Sequence, residues 1–529
     1  MKFLLTLGVL FCFAFVSAQD LIPYRSGKQW GYADRSGRII IAPQYEAASL
    51  FEEGVAIVSK EGRMALINAS NEPVIPFAQQ MLGTIYKGTC LKIIPSGSKG
   101  IYGAVSLKNE TLVPCIYDFA GRQGDFFMVT KGYLNGVYSL DGKMLLDTVY
   151  TYIHYTDGFF RVSKDPRQNV QGLISREGKL VTPMEYMVFD RFSGGRAKAR
   201  KGDLFGYIDS SGKEVIPPMY DLAWTFSEGH AVVESKKNGV WAYGMIDRNG
   251  KPTIPVSFQK LNDLHGGVAL GRKNNGWGLV TANGKTIIGF EYDTAVRGYE
   301  TAIACKRSGK WSLFNRDGKR KTGFEYDSVA VIENDERSVR DFGLKRFAYD
   351  PGYLLLFKNG RQGLCNSEGK VVVPPVYDDI YPFNNGVALV KKEGKWAMIS
   401  SGGKLITAFK YDQFIPYQAG ANSWKNHGVI TYLLNGKAGL INRKGEELTE
   451  AKYERTQPDD SGYTAVVINR KYGLLDPQGK EIIPVKYDRI RAGTTRDAGV
   501  DAFIVNGLIL VQKAGKYGYV LENGTELFQ

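Results

Sequence analysis

One unit of about 34 residues recurs along almost the whole chain. A period of that length restricts the fold to an array in which each copy buries its apolar face against its neighbours. Gly206-Tyr-Ile-Asp-Ser-Ser-Gly-Lys-Glu-Val-Ile-Pro-Pro-Met-Tyr220-Asp221 and Gly473-Leu-Leu-Asp-Pro-Gln-Gly-Lys-Glu-Ile-Ile-Pro-Val-Lys-Tyr487-Asp488 are two copies of it. Its first small residue, the anchor, occurs at Gly31, Ala65, Gly103, Gly136, Gly172, Gly206, Gly244, Gly278, Ser312, Gly363, Ala397, Gly439, Gly473 and Gly518, giving thirteen units and a terminal half-unit. Successive anchors lie 34, 38, 33, 36, 34, 38, 34, 34, 51, 34, 42, 34 and 45 residues apart. An aromatic residue follows the anchor by 14 in twelve of the thirteen full units, so the first half of the unit has fixed length and insertions fall in the second half.

A fixed first half means a tight hairpin. Six residues after the anchor stand Gly37, Asn71, Asn109, Gly142, Gly178, Gly212, Gly250, Gly284, Gly318, Gly369, Gly403, Gly445, Gly479 and Gly524. Glycine and asparagine are the residues that accept positive φ with least strain, as short hairpin loops require. Apolar residues flank the turn, as in Ile208 before it and Val215-Ile216 after it, and proline often follows, as at Pro43, Pro217 and Pro484, where it ends ladder pairing. A third strand lies in the second half, as in Val55-Ala-Ile-Val58 and Val387-Ala-Leu-Val390. The expected fold is all-β: about thirteen antiparallel hairpin or three-stranded repeats wound as a β-solenoid-like superhelix, with two β-propeller-like rings as the alternative.

The chain opens with a short basic start, Met1-Lys2, an apolar run from Phe3 to Val16, and small residues at Val16-Ser17-Ala18. That pattern reads as a signal peptide over residues 1–18, cleaved after Ala18, and sets an expectation of export to the periplasm, the cell surface or the medium. No later segment reaches 18 consecutive apolar residues, so no transmembrane segment is expected after cleavage. The array then spans residues 19–529, with units beginning near 27, 61, 99, 132, 168, 202, 240, 274, 308, 359, 393, 435 and 469 and a half-unit at 514–529. Removing Lys2 with the signal leaves 67 basic against 54 acidic residues. The charges are spread without a run of five basic residues, which fits a solvated surface and gives no nucleic-acid signature.

Gly27-Lys-Gln-Trp30-Gly31-Tyr, Asn275-Gly-Trp277-Gly278-Leu and Gly394-Lys-Trp396-Ala397-Met, followed by Asp-x-x-Gly-Lys and Pro-x-x-Tyr-Asp, resemble the WG, or KWG, repeats of bacterial proteins. The likeness covers essentially residues 24–529, although the tryptophan position is Tyr at 102, 243, 472 and 517 and departs further at Met64, Asn135, Gln171, Phe205, Gln362 and Ala438. The resemblance implies a surface, periplasmic or interaction role and supplies no catalytic residue.

The recurrent carboxylates Asp118, Asp221, Asp293, Asp327, Asp378, Asp412 and Asp488 follow the aromatic column. A catalytic carboxylate is needed once, in a perturbed environment, so a repeated one reads as an acceptor for backbone N–H groups at a bend. The aromatics before the anchor, Trp30, Trp277, Trp311 and Trp396 among them, read first as inter-repeat core; exposed, they would form a row able to stack sugar rings. Lysine or arginine follows the turn glycine at Arg38, Lys143, Lys179, Lys213, Lys251, Lys285, Lys319, Lys370, Lys404 and Lys480, which would align as a basic stripe guarding exposed hairpin tips or meeting anionic glycans or lipid headgroups. His154, His230, His265 and His427 show no ligand spacing, and Cys90, Cys115, Cys305 and Cys365 occupy unrelated columns, so no metal site or cofactor is expected. Buried thiols are the leading reading, with a Cys90–Cys115 bridge as the alternative.

These features predict an exported, non-enzymatic scaffold for an unnamed protein or envelope-glycan partner, with glycan binding by aromatic rows as the alternative. Contacts are expected in three insertions, around Glu333 to Gly352, Tyr417 to His427 and Ala492 to Asn506. A remote third reading is a hydrolase using Glu333, Asp335, Glu336 or Asp341.

Overall fold

The computed structural model describes residues 21–527 apart from 98, 166, 168–169, 238, 299–301, 333–349, 351, 416–427, 460, 492, 495–500, 503 and 506. The signal-peptide expectation over residues 1–18 lies outside the described residues, as do the insertion at 417–427, all of that at 333–352 except Asp350 and Gly352, and nine of the fifteen residues of that at 492–506. Every regular element described is a β-strand.

The strands form separate antiparallel meanders. One runs through Ala47–Ala48, Val55–Lys60, Arg63–Asn68 and Pro73–Ala78 in chain order. Among the described residues nine such sheets have four strands, which corrects the expected three. The extra strand is the segment just after the aromatic column, as in Val188–Phe189, Leu222–Ala223 and Lys260–Leu261. Two residues carry no period of their own; ladder bonds to the next strand hold them, as in Leu222↔Glu234 and Ala223↔Val233. Each four-stranded sheet thus takes two strands from the tail of one sequence unit and two from the head of the next, and the terminal half-unit completes the last sheet.

The solenoid expectation is also corrected. In a solenoid the ladder would continue from one coil into the next, whereas here hydrogen-bond ladders close within each small sheet and successive sheets meet through side chains, as β-propeller blades do. Tyr207, Ile216 and Tyr220 of one sheet, for example, bury against Phe226, Ala231, Val233 and Ile246 of the next. Fully burying one such side chain contributes about 1.5–3 kcal/mol, so the inter-sheet layers are the main stabilising element of the array.

The anchor is small because the last strand bulges over it. Trp30 pairs with Tyr45 but Tyr32 pairs with Ile41, so two extra residues on the last strand arch across Gly31. A methyl group on Gly31 would meet the Ile41 carbonyl oxygen at 2.2 Å, and one on Gly206 would meet that of Ile216 at 2.4 Å. Three sheets lose this strand, leaving single bridges such as Trp311↔Tyr326, Trp396↔Tyr411 and Ala438↔Tyr453. In these the hydroxyls of Thr322, Thr407 and Thr449 accept the N–H of Leu313, Met398 and Leu440 at 2.9–3.0 Å. Thr182 makes the same bond to Leu173 at 2.9 Å yet its strand persists, because Pro183 follows it and confines it to extended backbone.

Met1–Ile153 with Tyr517–Gln529 form one compact unit and His154–Lys516 a second. In the first, Tyr519 from the last repeat lies near Tyr32 from the first, and burial, with the neighbouring phenols of Tyr45 and Tyr519, raises the Tyr32 pKa. In the second, the same layer recurs sheet by sheet, as where Leu270, Leu279 and Ile288 meet Ala295, Ile303 and Phe314. Among the described residues no helix is long and apolar enough to cross a membrane.

Candidate binding surface on the hairpin tips

Each recurrent Tyr-Asp carboxylate reaches the hairpin between the second and third strands of its own sheet. Asp118, Asp221, Asp293, Asp327, Asp378, Asp412 and Asp488 accept the backbone N–H of Gly132, Lys236, Ser308, Asn359, Glu393, Asn435 and Gly515 at 2.6–3.4 Å. Several of these tips are two-residue turns in which both residues have positive φ, such as Ser308-Gly309, Glu393-Gly394 and Asn435-Gly436. The carboxylate therefore holds a non-glycine residue in a left-handed conformation that it would otherwise resist.

In four copies the second carboxylate oxygen is taken by the basic residue that opens the third strand of the preceding sheet. Lys395 Nζ donates to Asp412 at 2.6 Å and Lys471 Nζ to Asp488 at 2.6 Å, while Lys310 pairs with Asp327 and Arg361 with Asp378. These ammonium groups hold Asp327, Asp412 and Asp488 below the ordinary carboxylate range. An ionised, doubly engaged carboxylate is a poor proton donor.

The two aromatic columns face one another across the ladder: Trp30↔Tyr45, Phe205↔Tyr220, Trp277↔Tyr292, Trp311↔Tyr326 and Trp396↔Tyr411 are register partners. Trp311 and Trp396 are buried, 8% and 5% exposed. Trp30 and Trp277 are half-buried and pack at the margins of inter-sheet cores. The outer faces of this column carry cations, with Arg25 above Trp30 at 5.4 Å and Lys391 above Trp396 at 5.9 Å. Among the described residues the tryptophan most open to solvent is one that the repeat columns do not single out, Trp241, which is 48% exposed beside Val240 on a lengthened hairpin.

All fourteen turn residues, Gly37 through Gly524 with Asn71 and Asn109, have positive φ. The basic residues after them are exposed in all ten copies. Arg38 pairs with Asp34 at 3.1 Å. Among the described residues, the nine lysines in this column have no ion pair. Four sheets therefore offer two basic positions with opposite fates: Lys310, Arg361, Lys395 and Lys471 are neutralised at the second hairpin, and Lys319, Lys370, Lys404 and Lys480 make no ion pair at the third.

Beside these tips in the second unit, an open depression of about 520 Å³ is lined by Ser193, Phe226, Glu228, Asp247 and Arg248. Its polar groups are engaged in holding loops: Glu228 accepts the N–H groups of Gly266 and Gly267, each at 2.7 Å, and Ser193 Oγ donates to the Phe226 carbonyl at 2.7 Å. Nearby, burial raises the Asp263 pKa against the opposing charges of His265 and Arg297, and Arg297 donates to the carbonyls of Asp263 and Val268 at 3.1 and 2.8 Å. Sequence spacing gave no sign of this pair, which occurs in one copy of the repeat.

Cys90, Cys115, Cys305 and Cys365 are free thiols, so Cys90 and Cys115 form no bridge; Cys115 is half-buried and the others buried. Burial pushes Cys90 up to about 11 and Cys305 and Cys365 up to about 12, which keeps them protonated and unreactive near neutral pH. Among the described residues no group of three or more His, Cys, Asp or Glu side chains is placed to hold a metal ion.

The WG containing repeat matches residues 30–63, 172–205, 205–241, 243–277, 363–396, 439–472 and 472–492. The chain carries WG containing repeats in several regions. In this WG-repeat chain the matched segments begin at or near the anchor column, and the tryptophan-glycine pair is the point where the bulged strand crosses. No curated protein matches it. Among solved structures it is similar to a eukaryotic initiation factor, at 11% identity over 59% of this chain and 92% of that one, with a TM-score of 0.28. It is also similar to the extracellular domain of a one component system from B. thetaiotaomicron, at 10% identity over 96% and 80% of the two chains and a TM-score of 0.18. A third likeness is to PorZ, a surface component of the type-IX secretion system of Porphyromonas gingivalis, at 10% identity over 95% and 78% and a TM-score of 0.17.

Proposed function

We propose that this WG-repeat chain is an exported, non-enzymatic scaffold that binds a protein or cell-envelope glycan. The observation that carries this reading is the engagement of the repeat's chemistry-bearing side chains: seven Tyr-Asp carboxylates clamp hairpin backbone, and Trp311 and Trp396 are buried between sheets. What differs between copies is displayed on exposed hairpin tips and in the insertions, where binding is readily grafted on a rigid array. The aromatic-row alternative draws less support, since two of its four tryptophans are buried and two are packed at core margins. Glu333, Asp335, Glu336 and Asp341 lie outside the described residues.

The test is saturable capture by the chain spanning residues 19–529 from envelope extract and on a glycan array, compared with a variant lacking Glu333 to Gly352. Retained binding partners with no turnover support the scaffold. Release of reducing ends or peptide fragments from a captured partner would overturn it.

A further inference from the structure

The scaffold reading leaves the chemistry of its partner open, and the two basic columns narrow it. In the second unit, eight of the unpaired lysines, from Lys179 to Lys480, occupy the third hairpin of successive sheets. These tips follow one another in space. A methyl group on Gly212 would touch the Val181 carbonyl oxygen of the preceding sheet at 2.4 Å; Gly318, Gly403 and Gly479 meet those of Ile287, Val372 and Leu448 at 2.7, 2.6 and 2.8 Å. Each tip is thus wedged against the sheet before it, and the lysine beside each turn glycine is carried along as one member of a row. The row is interrupted once, at Glu446, which follows Gly445.

Shielding of hairpin tips from aggregation needs only occasional charges. It does not account for the contrast between the columns: Lys310, Lys395 and Lys471 are neutralised by Asp327, Asp412 and Asp488, whereas Lys319, Lys404 and Lys480 on the same sheets make no ion pair. We propose that this row of unpaired lysines is a binding surface for a linear anionic polysaccharide, one with carboxylate or sulfate groups repeated along a flexible chain.

Three observations select that partner. The cation that recurs from tip to tip is lysine, a compact point charge that attracts anions without imposing the planar fork geometry of arginine, and Arg176, Arg248 and Arg316 add to it at single tips. Packed sheets lie about 10 Å apart, so the positive charges are far sparser than the phosphates of a nucleic acid duplex at one per roughly 1.7 Å. The tip segments, such as Asp247-Arg-Asn-Gly-Lys251 and Ser400-Ser-Gly-Gly-Lys404, hold no aromatic ring on which a base could stack, and only two of the eight lysines are followed by an exposed large apolar residue, Leu180 and Leu405, too few for a continuous apolar face toward lipid.

The proposal rests on the scaffold reading, and its test separates the two. Binding of the chain spanning residues 19–529 is measured by biolayer interferometry against dextran sulfate and polygalacturonate, with neutral dextran, a single-stranded oligonucleotide and phosphatidylglycerol vesicles as competitors. The variant K213Q/K251Q/K285Q/K319Q is compared with K28Q/K60Q/K99Q/K131Q, which removes the same charge from exposed lysines off the row. The expected result is salt-sensitive binding to the two anionic polysaccharides, weakened about tenfold in the row variant and less than about twofold in the other. Equal weakening in both variants would overturn the row as the site, and tighter binding of the oligonucleotide or the vesicles would overturn the partner class. Capture of a protein or neutral glycan without polyanion binding would overturn this proposal while leaving the scaffold in place. Both variants should keep the far-UV CD and melting temperature of the parent, because tip lysines contact no core residue.

Discussion

Lys395 Nζ donates to Asp412 at 2.6 Å, and the other oxygen of the same carboxylate accepts the Asn435 N–H at 2.7 Å. One side chain thereby joins the first strand of a sheet to the hairpin between its second and third strands and neutralises the lysine before the tryptophan. Asp412→Ala should lower the melting temperature and speed amide exchange at Asn435, with Asp412→Asn intermediate because it keeps an acceptor. Lys395→Ala and Asp412→Ala should be non-additive, which a double-mutant cycle reads directly.

The clamps also set the acid response. Asp327, Asp412 and Asp488 lie below their ordinary value of 3.8 in the folded chain, held there first by Lys310, Lys395 and Lys471. Their contribution is complete above that value and is lost as pH falls through the lower folded-state pKa values. Thermal unfolding followed from pH 7 to pH 2 should show a decline setting in below about pH 4 that is shallower in Asp327→Asn/Asp412→Asn/Asp488→Asn.

Close backbone approach, beyond positive φ alone, sets the cost of replacing a turn glycine. Gly212 and Gly524 have φ of +84° and +86°, but a methyl group at Gly212 meets Val181 O at 2.4 Å while at Gly524 it meets open space. Gly524→Ala should cost about 1 kcal/mol and Gly212→Ala clearly more, about 2–4 kcal/mol, in urea unfolding.

The anchor column makes the complementary case. Gly206→Ala drives a methyl group to 2.4 Å from Ile216 O and should destabilise by about 1–3 kcal/mol. Ala397→Gly, in a sheet whose last strand has opened, should cost no more than about 1 kcal/mol.

Trp396→Ala should cost about 3–5 kcal/mol, since the ring is 5% exposed and stacks near Tyr381 at 5.1 Å. Trp241→Ala should stay within about 0.5 kcal/mol and remove a fluorescence component readily quenched by acrylamide.

The strand-turn-strand core of the repeat is legible because its demands fall on single residues: positive φ wants Gly or Asn, and an arching carbonyl wants no Cβ. The fourth strand is not, because segments such as Leu222–Ala223 are shaped by the ladder to the next strand and not by their own composition. Blade-like closure of each sheet escapes the sequence for a related reason, since a solenoid and a propeller make the same local hairpins and differ in where the ladder stops. The Asp column reads as a backbone acceptor from repetition alone, yet its lysine partner shows only once the hairpin brings residues 17 apart together. The Asp263–Arg297 pair leaves no periodic trace, since it breaks the repeat.

The contrast between paired and unpaired lysines is the centre of this account, and lysine acylation footprinting read by mass spectrometry tests it most directly. Lys319, Lys404 and Lys480 should react several-fold faster than Lys310, Lys395 and Lys471 in the same chain, and Asp327→Asn, Asp412→Asn and Asp488→Asn should each raise the rate of the lysine they face. Indistinguishable rates for the two columns, unchanged by those substitutions, would contradict it.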